Sequence, residues 1–282
     1  MLVLPLLGFI LLFVVLAALQ LWRLTDQRKA EEARQRLLRN AAGSKSVFAA
    51  SMVEALPEPA RRYFYFSIAP GTPIRTVADI EMMGQIGLGT TAKPNYQPMR
   101  ARQILAPPYG LVWQLTAGQG LMQISGSDGF DGTTSWARFW LMKIFPVVRA
   151  GGNADHARAA FGRVVAEAVF WSPGALLPQH GVLWEGVGPD IARATVTLGH
   201  MSQSVDITVG EDGCPFKVII SRWTDANPEK EYRLQPFGGF PSQYESFDGY
   251  MLATRVEGGN LIATKDYFPF YKVRVGRIRL IG

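Results

Sequence analysis

The chain has 282 residues, with 29 Lys and Arg against 23 Asp and Glu, which gives a formal net charge of +6. This length allows one or two domains and is enough to bury a core without covalent cross-links. The single cysteine, Cys214, excludes an internal disulfide and a zinc site built from cysteines. All charged side chains follow Leu21, so the N-terminal segment differs in kind from the rest of the chain.

The N-terminal segment MLVLPLLGFILLFVVLAALQL contains one strongly polar side chain, Gln20. A helix of about 20 apolar residues spans the hydrocarbon core of a bilayer. Trp22 and Arg23 then supply the aromatic and cationic side chains that are typical of the membrane interface. A cleaved signal peptide is the alternative, but it would carry basic residues before the apolar run and a better cleavage site. We therefore predict a retained transmembrane anchor over residues 1–22.

Residues 23–45 are rich in Arg, Glu, Gln, Ala and Leu, and predict a solvated juxtamembrane helix or linker that is broken at Gly43-Ser44. Six basic residues lie close behind the apolar segment: Arg23, Arg28, Lys29, Arg34, Arg36 and Arg39. Under the positive-inside rule they place the body of the protein in the cytoplasm. Large domains can be translocated against this rule, so the periplasm is the close alternative.

Residues 46–282 predict a single strand-rich globular domain, with no repeat and no second boundary. A short helix is expected at 47–55, and another begins at Pro57 or Pro59, where proline suits the first helical turn. From residue 73 onward, short strands alternate with turn residues. The predicted fold is α+β and mainly antiparallel β: one large curved sheet or half-barrel with a few helices, preceded by the transmembrane helix.

Local signals add detail to this sheet. Glu211-Asp212-Gly213 and Glu257-Gly258-Gly259 are expected to form hairpin turns. One helix interrupts the strands, with Asn153 as its N-cap and Trp171-Ser172-Pro173 at its end. Strands are predicted both before and after this helix in the chain.

The last predicted strand carries four basic side chains. Lys272 and Arg274 share one face, and Arg277 and Arg279 would share the same face if a one-residue bulge stood at Gly276. Such a face can simply be solvated and protect a sheet edge by its charge. The alternative is a patch that binds anionic lipid headgroups or another acidic partner.

No catalytic or metal-binding signature is present. The phosphate-binding loop, the paired histidines of metalloproteases and the serine elbow of hydrolases are all missing. The three histidines, His156, His180 and His200, have no spacing that suits a metal. We therefore predict no metal, no cofactor and no catalytic residue. Nucleic acid is not expected as a partner either, because no recognised binding module lies between the basic regions.

Acidic and aromatic residues supply the remaining site hypotheses. Asp128 and Asp131 lie in a glycine-rich segment that favours a turn over an acid–base pair. Glu167 is four residues from Arg163, which indicates a surface ion pair unless its helix crosses the sheet and the carboxylate faces a cavity. The tryptophans either fill the core or line an apolar pocket. The predicted ligand-binding residues are Trp113, Trp140, Glu167, Trp171 and Trp184.

Several motifs resemble an uncharacterised bacterial family of membrane-anchored proteins. They are Leu56-Pro57-x-Pro59-x-x-Arg62-Tyr63, Met83-Gly84, Gln97-Pro98-Met99-x-Ala101, Leu111-Val112-Trp113, Glu167 with Pro173, Leu176-Leu177-Pro178, Trp184, Phe247-x-Gly249-Tyr250 and Phe268-Pro269-Phe270. The resemblance implies a single-pass protein of the bacterial inner membrane and no particular reaction. The strand-rich layout is similar to that of lipoprotein carriers, in which a half-barrel holds acyl chains, and this similarity is one of architecture.

These observations favour a membrane-tethered binding protein for an apolar ligand such as a lipid or acyl chain, with membrane lipid as its partner. The alternative is a structural or assembly protein of a membrane protein complex, with a filled core and no ligand. An enzyme that acts on lipid or glycan through Asp128, Asp131 or Glu167 is the third hypothesis. A cavity inside the sheet would distinguish the first from the second.

Overall fold

The protein is described by a computed structural model that covers residues 3–39, 41 and 46–282. Gly43 and Ser44, the expected helix break, lie outside the described residues. Within the described part, the helices are α1 (Val3–Arg39), α2 (Glu58–Ser67) and α3 (Ala154–Trp171). The strands are β1 (Val77–Gly87), β2 (Tyr96–Ala106), β3 (Gly110–Ala117), β4 (Ile124–Phe130), β5 (Ser135–Leu141), β6 (Phe145–Gly151), β7 (Leu183–Gly188), β8 (Ile191–Leu198), β9 (Met201–Val209), β10 (Pro215–Thr224), β11 (Arg233–Phe247), β12 (Tyr250–Asn260) and β13 (Phe268–Ile281).

All thirteen strands belong to one antiparallel sheet, in the order β6-β5-β4-β3-β2-β1-β13-β12-β11-β10-β9-β8-β7. Strands β1 to β6 follow one another from the centre of the sheet to one edge. Helix α3 then connects β6 to β7 at the opposite edge, and β7 to β13 follow one another back to the centre. The last strand then pairs with the first, with Val77 opposite Ile281 and Ile86 opposite Tyr271. The two ends of the domain thus meet at the centre of the sheet. This confirms the predicted fold class.

Helices α2 and α3 lie on the inner face of the sheet, which curves around them. The side chain of Phe161 on α3 packs against Phe130 of β4, while the indole Nε1 of Trp171 donates to the carbonyl of Ala253 on β12 at 3.0 Å. One helix therefore contacts strands of both groups. The carboxamide oxygen of Asn153 accepts a hydrogen bond from the backbone N–H of His156, so the predicted N-cap is confirmed.

Helix α1 is continuous from Val3 to Arg39, so the predicted anchor and the predicted juxtamembrane segment form one helix. Its apolar side chains from Leu6 to Leu16 are exposed. Its second half packs Ala30, Ala33 and Leu37 on the outer face of the sheet, against a small apolar cluster: Val77, Ile104, Ala106, Val112 and Trp136. The expectation of a solvated helix here is wrong, because small side chains on one stripe let the helix approach the strands closely.

Within the described residues, α1 is the one helix that is long and apolar enough to cross a membrane. A secretory signal sequence has the same two properties. Length and composition are therefore consistent with both readings.

Several local predictions are corrected by the sheet. The helix expected at 47–55 is a single 3₁₀ turn, Ala50–Met52. Glu257-Gly258-Gly259 is not a turn, because β12 continues to Asn260. The turn at Glu211-Asp212-Gly213 is confirmed between β9 and β10.

Two strands show how glycine shapes this sheet. The bulge expected at Gly276 is present, since Glu81 lies opposite Arg277 while Met82 lies opposite Val275. Strand β11 spans 15 residues, Arg233–Phe247, whereas the sequence predicts a strand only over 231–234. At Gly238 a Cβ atom would lie 1.9 Å from the carbonyl oxygen of Val218, so a side chain there would push the neighbouring strand away.

Candidate functional site

A cavity of about 340 Å³ lies between α3 and the inner face of the sheet. Its volume is at the lower end of the range of small-molecule sites. The lining comes from both groups of strands and from α3, and most of it is apolar. It consists of Ile86, Leu88, Trp113, Leu115, Ile124, Asp128, Phe139, Val148, Arg163, Ala166, Glu167, Phe170, Val218, Arg222, Phe237, Gly238, Gly239, Val256, Gly258, Phe270 and Tyr271. An apolar molecule fits such a lining better than water does.

A buried ionic network forms one wall of this cavity, centred on Arg163 of α3. Its Nη1 atom donates to both carboxylate oxygens of Asp128, at 2.9 and 3.0 Å. Its Nε atom donates to Glu167, and its Nη2 atom donates to the carboxamide oxygen of Gln103 at 3.2 Å. Gln103 in turn donates to the second oxygen of Glu167. Both carboxylates are thus fully engaged within the protein.

The charge of Arg163 is strongly favoured by this arrangement. Burial alone would lower its pKa, but the carboxylates of Asp128 and Glu167 outweigh burial and raise the pKa above its ordinary value. The guanidinium also lies 5.1 Å from the ring centre of Trp113. Because Asp128 and Glu167 are held by Arg163, they are not arranged as a free pair of acid and base.

A second arginine, Arg222 of β10, reaches the same wall. Its Nε atom donates to the carbonyl of Ala159 at 3.0 Å, and its guanidinium lies 4.5 Å from the ring centre of Phe237. It also borders a smaller pocket of about 130 Å³ behind the network, which His156 and Asp225 line as well. Arg222 therefore lines both the larger cavity and the smaller pocket.

Exposed apolar side chains lie at the end of the sheet where β1 ends and β4 begins. We call Leu88, Leu121, Met122 and Met142 the rim. Leu88 lines the cavity and is nevertheless 47% exposed, while Leu121 and Met122, just before β4, are 72% and 70% exposed. Leu88 thus connects the cavity lining to the surface, and exposed apolar groups of this kind can mark a contact surface.

The rim is tied to the end of the apolar part of α1. The backbone N–H of Met142 donates to the carbonyl of Gln123, which joins the β5–β6 turn to the β3–β4 loop. The carboxamide of Gln20 on α1 donates to the carbonyl of Lys143 in the same turn, at 2.8 Å. The rim is therefore on the side of the domain where the apolar part of α1 ends.

A buried carboxylate holds α1 in this position. Asp26 accepts hydrogen bonds from both terminal nitrogens of Arg149 on β6 and from the indole of Trp140 on β5. Trp22 packs edge-on against Trp140, with ring centres 5.5 Å apart, and Arg149 lies over the Trp22 ring. The helix is thus fixed to the edge of the sheet by charge and by aromatic contacts.

The predicted ligand-binding residues fall into three environments. Trp113 and Glu167 line the cavity. Trp140 is on the outer face against α1, and Trp171 is fully buried in the core between α3 and β12. Trp184 packs on Tyr63 and Phe64 of α2, far along the sheet from the cavity lining. The structure brings together two of the five.

The four basic residues of β13 lie on the outer face, and three of them have acidic partners. Lys272 pairs with Glu257 at 3.3 Å, Arg277 with Glu81 at 3.5 Å and Arg279 with Asp79 at 3.2 Å. Arg274 is exposed and has no ion-pair partner within residues 3–39, 41 and 46–282. Arg34 and Arg102 also pair with Asp79, so positive charge exceeds negative charge around that carboxylate.

Sequence reasoning missed Arg222 and the role of Arg163. The spacing of Arg163 and Glu167 did signal a pair, but the segment around Asp128 favours a turn in sequence and is a strand in the structure. Arg222 lies in an alternating strand with no local sign of its inner position. Within the described residues no group of histidine, cysteine, aspartate and glutamate side chains is placed to hold a metal ion.

The family model for DUF6544, a family of unknown function, matches residues 46–273. The chain belongs to this family. Membership of an uncharacterised family, predicted from the motifs, is thereby confirmed. No curated protein matches the DUF6544 chain.

Among solved structures, the DUF6544 chain is similar to a domain from Vibrio parahaemolyticus that is named for outer membrane lipoprotein sorting. The identity is 11% and the TM-score is 0.33, over 82% of this chain and 91% of that one.

Proposed function

We propose that this protein is a membrane-tethered binding protein for an apolar ligand, such as a lipid or an acyl chain. The observation that carries the proposal is the cavity of about 340 Å³ with its largely apolar lining. Cores without a ligand are packed to the density of organic crystals, with few voids larger than a water molecule. A filled structural core therefore accounts poorly for a space of this size.

The tether and the rim support the same proposal. Residues 1–22 serve as the transmembrane anchor, and α1 continues from it to the outer face of the sheet. Because Gln20 contacts the β5–β6 turn, the rim lies close to the bilayer surface from which α1 emerges. Leu121 and Met122 would then insert among the lipids, and a ligand would pass between bilayer and cavity without crossing water.

Native mass spectrometry of the full chain, released from lipid nanodiscs, tests the proposal. We expect the wild-type protein to retain an apolar molecule that solvent extraction then recovers. Ala166→Phe, on the cavity side of α3, should fill the cavity and abolish this retention. The matched control is Ala154→Phe, the same change at an exposed position of the same helix. A wild-type protein without any bound apolar molecule would rule out the proposal.

A further inference from the structure

Within the described residues, the cavity wall contains hydrogen-bond donors that have no acceptor, whereas each of its carboxylate oxygens has a donor. The Nη atoms of Arg222 have no acceptor within the described residues, and Arg222 has no carboxylate partner there. The buried Nε1 atom of Trp113, in the same wall, likewise has no acceptor among them. The carboxylate oxygens of Asp128 and Glu167, in contrast, are occupied by Arg163 and Gln103. Among the described residues, the groups of this wall that lack a partner are therefore donors.

Arg222 is fixed in position, but it has no carboxylate counter-ion among the described residues. Its Nε atom is fixed by the carbonyl of Ala159, and its planar face rests on Phe237. Burial and the nearby charge of Arg163 lower the pKa of Arg222 to about 10, although Asp128, Glu167 and Asp225 act in the opposite direction. An anion that accepted hydrogen bonds from both Nη atoms would relieve that cost.

The other titratable groups near Arg222 do not supply an anion to its Nη atoms in the apolar cavity. Asp225 borders the smaller pocket and not the apolar cavity. His156, also in the smaller pocket, has its Nδ1 atom within hydrogen-bonding distance of the hydroxyl of Ser135, at 2.9 Å. Every carboxylate oxygen of Asp128 and Glu167 already accepts a hydrogen bond, whereas the Nη atoms of Arg222 have no acceptor among the described residues. The wall therefore favours an acidic headgroup over a cationic one.

We propose that the ligand is an anionic amphiphile: its apolar chain occupies the cavity and its acidic headgroup, a carboxylate or a phosphate, is bound by Arg222. This inference rests on the proposed function and adds to it the charge of the ligand. Guanidinium groups bind planar and tetrahedral oxyanions with two parallel hydrogen bonds, which favours Arg222 as the recognition element.

The test compares ligands that share one chain and differ in headgroup. Full-length protein in nanodiscs is mixed with dodecanoic acid, dodecyl phosphate, dodecanol or dodecylamine, and bound ligand is counted by native mass spectrometry. We expect both acids to bind at least about tenfold more tightly than the alcohol, a difference of about 1.4 kcal/mol, because hydrogen bonds between charged groups are stronger than neutral ones. The amine should bind no better than the alcohol. This comparison uses the wild-type protein and does not depend on any variant folding.

Two variants assign the preference to Arg222. Arg222→Gln should reduce acid binding to the level of the alcohol while leaving alcohol binding unchanged, and Arg222→Lys should keep part of the preference. The control is Arg158→Gln, because Arg158 lies over Trp223 and outside the cavity lining. Equal binding of acid and alcohol by the wild-type protein, or an acid preference that survives in Arg222→Gln, would overturn the assignment.

Further outcomes separate this inference from the proposed function. If the alcohol and the acids all bind but with equal affinity, the cavity binds apolar chains and only the inference about the headgroup fails. If no amphiphile binds, the proposed function fails as well. Inorganic phosphate is included as a separate probe: binding of phosphate without any amphiphile would show a plain anion site and overturn the inference.

Discussion

Asp26 and Arg149 join the tether to the edge of the sheet: both terminal nitrogens of Arg149 donate to the Asp26 carboxylate. The Asp26 side chain is 9% exposed, and the indole of Trp140 donates to the same carboxylate. The contact fixes α1 and strand β6 relative to one another. The β5–β6 turn connects the strands that carry Trp140 and Arg149. The contact with Asp26 therefore also helps to position the rim residue Met142, in that turn, relative to α1.

Substitution of Asp26 should therefore release the tether without unfolding the sheet. Asp26→Asn leaves Arg149 and Trp140 with a weaker acceptor, and we expect a loss of about 1–3 kcal/mol in local stability. Hydrogen exchange measures this directly: amides of α1 from Gln20 to Leu37 and those of β6 should exchange faster, and those of β1 should not. The matched control is Asp248→Asn, which breaks an exposed pair with Arg75. Uniform acceleration throughout the sheet would contradict a local role for Asp26.

Arg163 should be the most sensitive position in the cavity wall. Arg163→Met leaves the carboxylates of Asp128 and Glu167 buried without a cation, and breaking a buried ion pair in this way costs about 3–5 kcal/mol. Combining it with Glu167→Gln should recover part of that loss, because the second change removes one of the unpaired charges. Denaturant unfolding of the single and double variants gives the interaction energy between the two positions. Strictly additive losses would show that the network does not act as a unit.

The fold could be predicted from sequence because its signals are local. Asn153 caps α3, Gly276 makes the bulge in β13, and the strands alternate in polarity as half-buried strands do. Most of strand β11 was not predicted, because Pro236, Gly238 and Pro241 are typical of turns. Their roles depend on the neighbouring strands: the absent side chain at Gly238 makes room for the backbone of β10.

The site could be predicted only in part, for a related reason. Alternation separates the two faces of a strand but does not tell which face is concave. Trp113 and Trp140 are equally good pocket residues by composition, yet Trp113 faces the cavity and Trp140 faces α1. The partners of Asp128 and Arg222 come from α3, far away in sequence, so no spacing pattern reveals them.

The rim should contact lipid in a membrane. A photoreactive benzoylphenylalanine at Met122, whose side chain is 70% exposed, should cross-link to lipid acyl chains in nanodiscs. The control position is Asp248, which pairs with Arg75 near the start of β1 and thus lies at the opposite end of that strand from Leu88. It should give no lipid adduct. Lipid adducts from both positions, or from neither, would contradict a rim that faces the bilayer.

Charge at the rim should reduce loading of the cavity without affecting the fold. Met122→Glu adds a carboxylate to an exposed side chain, so the free energy of unfolding should change by less than about 0.5 kcal/mol. Ligand occupancy after release from nanodiscs should fall, because an acidic rim disfavours insertion among lipids. Met122→Leu serves as the control and should retain wild-type occupancy. Normal loading of the glutamate variant would show that ligand reaches the cavity by another route.

The charges behind the apolar segment predict the side of the membrane on which the body lies. The six basic residues between Arg23 and Arg39 favour the cytoplasm under the positive-inside rule, and the periplasm is the alternative. Gly282 is exposed, so a reporter attached there should not disturb the sheet. We expect a fused fluorescent protein that matures only in the cytoplasm to be active, and a fused periplasmic phosphatase to be inactive. The opposite pair of results would place the cavity on the periplasmic side and show that the folded body was translocated despite its basic flank.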